Sequence, residues 1–543
     1  MTSCMILEWP GRWRLGSVAA LLALPMLPTL PLLWFSLGSG HRFSLGGAAF
    51  EHALANSLIV ALMVALGSFA FGLPIGVLNA LYDYRRRKLL LTLSMLPLLS
   101  PPFLWVIGWR GFLEYYSRSW LPFISGYFGC LLAFLPGAVT LVLFATNAST
   151  AALSASQVEA ARLAGGEGTL FRLACRHASV PAILAAMLAG ILTLSDPGAG
   201  FTVGLPMASS AVLTSFAAFY DYALAGRQCL ILALIVLAIA LPIAYLAAPR
   251  LAAELSARQF RPVQRMCHPG MSKTAGATLF VLVLMLTLLP SWGLILPLRG
   301  NLQQPNRSPV GYAESQQPGN NQPRDCWIDL KRACGDLRHT GLNTLFYAAG
   351  AGAFATCLGL ALAFCAGREE RLRQLAIGVC LALFALPPML SALGFVRGAS
   401  WMPPWTDPVL RGRLGVCLAL GMRFFPVAAM LALRGWGTMS PSLARAAGVH
   451  GVPLGRYLWR VVLPLQRRAV VTGMMLVGLL ATAEIGMVLL LYPPGEESFP
   501  LHIFQIIGYP SPSSRLAALC LVDLAVAIGL LAVTWRLGEG DRA

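Results

Sequence analysis

Charge is scarce in this chain: Asp, Glu, Lys and Arg make up 11% of its 543 residues, while 57% are hydrophobic. So few charges cannot cover the water-exposed surface of a soluble protein of this length, and lipid is therefore the expected solvent for most of it. Lysine is almost missing, confined to Lys88, Lys273 and Lys331, and no GxxxxGK[ST] segment occurs, so no nucleotide-binding P-loop is expected in this chain. The twelve cysteines contain no CxxC and no Cys/His spacing of a metal site, and the seven histidines do not cluster, so no metal ligand set is expected. An integral-membrane enzyme would gather His, Asp or Glu near one interface, and no such gathering is found. A cleavable signal is also lacking: the apolar run 15–37 is long, contains prolines and has no clear small-residue cleavage site, which makes it a first span.

What is present is length of apolar sequence. A span needs roughly 20 apolar residues. Twelve runs qualify, near 15–37, 54–82, 88–110, 126–148, 178–198, 228–248, 274–297, 341–366, 374–397, 413–434, 466–492 and 514–537. Continuous helices are the default for each, because lipid offers backbone polar groups no other partner. Basic residues outnumber acidic ones by 40 to 22, but they sit in short clusters between the runs, such as "YRRRK" at 84–88. That distribution fits topogenic charge and excludes a nucleic-acid-binding face. With the N-terminus inside, about 25 of the 40 basic residues fall in inside loops, and six others share one long outside loop, 298–340. Both termini are then cytoplasmic. Cys130, Cys357, Cys365 and Cys380 lie within apolar runs and read as packing residues. Cys326 and Cys334, in the hydrophilic "CWIDLKRAC", would pair only if that loop faces an oxidising compartment, which the sequence leaves open.

The chain repeats itself at an offset of about 287 residues. "NSLIVALMVALGSFAFG" (56–72) parallels "NTLFYAAGAGAFATCLG" (343–359), with Asn and Gly sixteen apart in both. "AFLPGAV" (133–139) parallels "RFFPVAA" (423–429), and "LSASQVEAA" (153–161) parallels "MSPSLARAA" (439–447). An offset with the same in–out sense means two parallel six-span halves, 1–250 and 274–543, joined by a basic cytoplasmic linker at 251–273.

Each half carries one polar island between spans, "VEAARLAGGEGTLFRLACRHASVP" (158–181) and "LARAAGVHGVPLGRYLWRVVLP" (443–464). An Ala-rich helix, a glycine turn and a second short helix would form a cytoplasmic knob, over 155–176 and 441–460. These islands resemble the signature of the inner-membrane permeases of binding-protein-dependent ABC importers: Glu-Ala-Ala, three residues, Gly, then Leu-Pro about thirteen residues past that Gly. The first half has Glu159, Ala160, Ala161 and Gly165 in register, but Ala178 at the Leu-Pro position and its proline late, at Pro181. The second has Ala446, Ala447, Gly451 and Leu463-Pro464 in register, with Arg445 replacing the Glu.

The resemblance implies an all-α integral membrane protein of about twelve transmembrane helices, built as two tandem six-helix type I importer halves in a bacterial inner membrane. It implies that the knobs are coupling helices seated in two copies of a separate ATP-binding subunit, which holds the ATP and magnesium; no cofactor is then bound by this chain. It also implies a periplasmic substrate-binding protein as partner. "LSDPGAGFTVG" (194–204) and "ATAEIGMVLLLYPPGEESFPLHIFQIIGYPSP" (481–512) look like the ferric-iron-type permeases, and the thiamine permease is a similar fused relative. The implied substrate is ferric iron, with thiamine or another small solute as alternative. A secondary transporter driven by an ion gradient would also have twelve spans and a repeat, but leaves the two Ala-Ala-Gly knobs without a purpose.

Intramembrane charges mark candidate pathway residues. Asp196 and Glu484 occupy corresponding places at the outer end of the fifth span of each half, suited either to a cation or to capping helix ends. Arg423 has Ala133 in the parallel position and either lines the pathway, neutralises Glu484 or snorkels outward. In such permeases the segments 200–226 and 493–513 meet the binding protein, which makes Phe216, Phe219, Tyr220 and Phe504 candidate contacts or buried packing.

Overall fold

The structure is a computed structural model describing residues 11–38, 47–256, 268–299, 326–367, 369–508 and 513–539. The described residues form helices and connecting turns, with no β-strand. Eight helices are long and apolar enough to cross a membrane, and four further pairs do so if each bent pair is one span. In chain order these are α1 (Arg14–Met26 with Thr29–Ser36, bent 60°), α2 (Gly47–Leu81), α3 (Arg87–Leu99 with Pro102–Tyr116, bent 107°) and α4 (Gly126–Thr150). There follow α5 (Ala155–Thr193), α6 (Tyr222–Ala253), α7 (Gly270–Leu298) and α8 (Trp327–Ala366). The last are α9 (Glu370–Ala385 with Pro388–Ala399, bent 84°), α10 (Arg413–Thr438), α11 (Leu454–Leu465 with Arg467–Ala483, bent 72°) and α12 (Ser514–Ala532). The chain is thus an all-α membrane protein.

The expectation of uninterrupted helices fails at the four bent pairs, and the residues at the bends explain why. Pro25 and Pro28 flank the bend of α1, Pro101-Pro102 and Pro387-Pro388 stand at those of α3 and α9, and Pro464 precedes that of α11. A proline removes one helical N–H and forces the preceding residue out of the α region. Ser100 and Leu386 accordingly leave the helix at ψ 146° and 144°.

Equivalent contacts recur at the repeat offset. The side chains of Asn56 and Ser57 on α2 hold the backbone ahead of the short helix Ala208–Ala217: Asn56 Nδ2 donates to Pro206 O (3.0 Å), and Ala208 N donates to Ser57 Oγ (2.8 Å). On α8, Asn343 Nδ2 donates to Glu497 O (3.3 Å), and Phe499 N donates to Thr344 Oγ1 (2.9 Å), ahead of the helix Phe499–Ile507. Gly72 lets α2 approach α4 so closely that a Cβ there would lie 2.7 Å from Val142 Cβ; one at Gly359 of α8 would lie 2.8 Å from the Ala429 nitrogen of α10. Small residues at such crossings let helix backbones touch, the main packing device available in lipid.

The outermost helices cross over between the repeats. Gly108 of α3 abuts the Pro290 carbonyl of α7, and Gly394 of α9 abuts the Pro28 carbonyl of α1. α1 therefore packs on α9, and α7 on α3.

Part of the expected long loop is helical. One helix runs from Cys326 to Ala366. Cys326 and Cys334 lie eight residues apart on it, about 12 Å at 1.5 Å per residue, too far for a disulfide between them. Residues 300–325 of that loop and 257–267 of the linker, with Arg258, Arg261 and Arg265, lie outside the described residues.

Substituting Gly359→Val should cost about 1–3 kcal/mol through the overpacked α8–α10 crossing. Gly529→Ala, with nothing within 4 Å of its Cβ, should gain up to about 1 kcal/mol of helix propensity. Thermal unfolding of the two variants in one detergent should move in opposite directions.

Candidate functional site

Two places collect the residues singled out in the sequence: a pair of knobs at one end of the bundle, and a cavity where the repeats meet. The first knob starts with a capping box, in which Gln157 N donates to Ser154 Oγ and Ser154 N donates to Gln157 Oε1. The helix that follows turns Val158 and Ala161 inward, into a cluster with Leu153, Leu170 and the ring of Tyr82. Glu159 and Ala160 point outward. The elbow comes at Gly165-Gly166, and the left-handed residue is Gly166 (φ 67°), one past the Gly165 of the motif. An ion pair closes the elbow, with Arg162 Nη2 2.6 Å from Glu167 Oε1. The Tyr82 hydroxyl, at the end of α2, donates to the other oxygen of Glu167.

The second knob begins at Ser440, whose hydroxyl accepts from Ser442 N, with Pro441 in the first helical position. Ala447 is buried with Met439, Tyr457 and Val462, whereas Arg445 and Ala446 are exposed. The turn is made at Gly451 (φ 63°).

Beyond the elbows the knobs differ. The first continues as one helix through Pro181 to Thr193, so its second short helix and the fifth span are a single rod. The second runs Leu454–Leu465, with exposed Pro464, and then bends by 72° at buried Gln466 (φ −93°, ψ 6°).

The knobs also share a feature that the motif does not name. Leu163 is 89% exposed and Val449 84% exposed, each two residues past the buried alanine of its knob. Their sequence signal was an aliphatic residue at the same offset inside a polar island. The Tyr82–Glu167–Arg162 latch had none, because Tyr82 lies 85 residues before Glu167.

The cavity, of about 250 Å³, is lined by Asp196, Glu484 and Arg423 together. The two interrupted helices α3 and α9 reach it at Ser100 and Pro388, and the buried hydroxyls of Ser100 and Ser195, also in its wall, have no partner among the described residues. An interrupted helix leaves carbonyls that need donors. Arg423 Nη1 supplies them at the end of the first segment of α9, donating to Phe384 O (2.8 Å) and Leu386 O (2.5 Å). Its positive charge also suits a helix C-terminus. The guanidinium lies 5.5 Å from the centre of the Phe384 ring. Arg423 is buried and does not snorkel, and the described ion pairs do not join it to Glu484. Near the break of α3, where Ala133 stands in place of Arg423, Thr140 Oγ1 of α4 donates instead to Ser94 O (2.6 Å).

Asp196 and Glu484 each hold the turn that follows them. Asp196 Oδ1 accepts from Gly198 N (2.8 Å) and Ala199 N (3.0 Å), and Glu484 Oε1 accepts from Met487 N (3.3 Å). The two turns meet: a Cβ on Gly486 would lie 3.5 Å from Pro197 Cδ and 3.4 Å from Glu484 Oε1. The cavity therefore presents two carboxylates, one guanidinium and hydroxyls in an otherwise apolar wall, a set able to contact a small polar solute. Of the aromatic candidates, Phe219 and Tyr220 are exposed, while Phe216 is half-buried and stacks edge-on against Tyr222 at 5.1 Å. Phe504 is buried between Phe103 and Phe201.

Comparison of the chain with protein-family models, with curated proteins and with solved structures gives no match.

Arg423→Met should leave two buried carbonyls without a donor, at about 1–3 kcal/mol each, which thermal unfolding in detergent would register. Because Arg423 is bonded to carbonyls, the double charge swap Arg423→Glu with Glu484→Arg should unfold more readily than either single variant. Asp196→Ala should lose about 0.5–2 kcal/mol of capping, and Asp196→Asn, which keeps an acceptor, should lose less.

Proposed function

We propose that the chain is the membrane-spanning permease of an ATP-driven importer, two six-helix type I halves through which a solute crosses a bacterial inner membrane. The observation that carries the reading is the pair of knobs. At equivalent places in two repeats, a short helix buries its alanine on the body and holds an aliphatic side chain almost wholly out, Leu163 in one and Val449 in the other. Apolar side chains held out at two points suit a two-fold partner that covers both at once. In this reading the partner is a pair of ATP-binding subunits at the cytoplasmic face, and the chain does no covalent chemistry itself.

Closure of the partner subunits draws the knobs together and rocks the halves about the cavity bounded by Asp196, Glu484 and Arg423, an alternating-access cycle. Substrate reaches the cavity from a periplasmic binding protein, for which exposed Phe219 and Tyr220 are contact points. The segments 194–204 and 481–512 favour ferric iron as cargo, with thiamine or another small solute as the alternative.

Affinity purification of the tagged chain from its native membrane should bring an ATP-binding subunit with it, at two copies per chain. Leu163→Glu together with Val449→Glu should abolish that recovery while leaving the unfolding temperature unchanged, since both side chains are exposed. A chain recovered alone that still moves solute down an ion gradient would overturn the reading in favour of a secondary transporter.

A further inference from the structure

Across the break of α3 from the central cavity, α8 and α12 line a groove of about 420 Å³. Its walls are mostly apolar, and Leu342 (72%) and Val526 (36%) in them are exposed. Among the polar side chains that line it, Arg338, Thr344, Thr482 and Asp523, the acidic one stands apart: Asp523 is only 8% exposed and receives no hydrogen bond or ion pair from the described residues. It stands nine residues into α12, about 14 Å from Ser514. A lone carboxylate in apolar surroundings is costly, and such residues in membrane spans face a partner or a cavity. Exposed Arg338 lies in the same wall, one turn before Leu342, where the polar start of α8 gives way to its apolar run.

We propose that this groove is a binding site for a membrane phospholipid with a primary-ammonium headgroup, the ammonium pairing with Asp523 and the phosphate with Arg338. The apolar walls take the upper part of an acyl chain. Charge complementarity selects this occupant: an anionic lipid without an amine satisfies Arg338 alone, and a quaternary ammonium cannot donate a hydrogen bond to the carboxylate. The site also has a mechanical neighbour. Leu99 and Pro101, at the break of α3, line the groove, whereas Ser100 and Pro102 line the central cavity. One interrupted segment is thus the shared partition between the two, and an occupied groove braces a wall of the cavity from outside. None of this depends on what drives transport.

The test is native mass spectrometry of the full chain in detergent, titrated in turn with phosphatidylethanolamine, phosphatidylglycerol and phosphatidylcholine of matched chains. Phosphatidylethanolamine should be retained about tenfold more tightly than either competitor, the scale of one buried charge-assisted hydrogen bond. Asp523→Asn should erase that preference, Asp523→Glu should restore part of it, and Arg338→Gln should weaken phosphatidylethanolamine and phosphatidylglycerol alike. A hydrophobic carbodiimide provides a check on the unaltered chain: it should modify Asp523, as read by peptide mass spectrometry, and phosphatidylethanolamine should protect it where phosphatidylglycerol does not. Equal retention of the three lipids, an Asp523→Asn chain that keeps the preference, or labelling indifferent to phosphatidylethanolamine would each overturn the proposal.

Discussion

Inside a bilayer a broken helix must find donors for its freed carbonyls within the protein, and the arrangement around the cavity follows from that requirement. Prolines interrupt α3 and α9 at corresponding places, Pro101 and Pro387, and both ends reach the seam between the repeats. At α9 the need is met by buried Arg423, which donates twice to carbonyls at the end of its first segment. At α3 a threonine hydroxyl from α4 reaches the backbone a turn and a half earlier. The acidic residues answer the opposite need, since Asp196 and Glu484 accept from backbone N–H groups in the turns after them. The charges in the seam are thus anchored by main chain, which fixes where they stand relative to one another.

Most of the architecture was legible because lipid imposes so simple a rule. Each of the twelve apolar runs overlaps a helix or a bent pair, and the parallel Asn and Gly positions of "NSLIVALMVALGSFAFG" and "NTLFYAAGAGAFATCLG" make matching contacts on α2 and α8. Less legible were the bends. Pro181, Pro136 and Pro426 sit inside continuous helices, while Pro101 and Pro387 end theirs, and a single sequence offers no local sign of which will yield. At the break of α9 the freed carbonyls meet Arg423, a partner that the local sequence does not announce.

At the candidate sites, residues that act through their own segment could be read, and those that act through distant ones could not. Asp196 and Glu484 cap turns two or three residues away, one of the two roles their positions allowed. Arg423 was visible as an anomaly, but its hydrogen-bond partners on α9 lie 37 and 39 residues off, so its bonds to the backbone could not be read; it is buried rather than outward-reaching, and Glu484 shares its cavity wall. The glycine motif placed the elbow of the first knob within one residue, the left-handed turn falling on Gly166.

The two knobs also differ in how they join the bundle. The first is continuous with α5 and tied to the end of α2 through Glu167 and Tyr82, whereas the second meets the remainder of α11 across the bend at Gln466. From Gly166 onward the first is a single rod ending at the turn held by Asp196, and Leu163 stands on the far side of its one elbow. The second has the bend at Gln466 in addition to its elbow at Gly451, ahead of the segment that ends at Glu484. The two repeats thus differ in the number of joints between knob and seam, one in the first and two in the second.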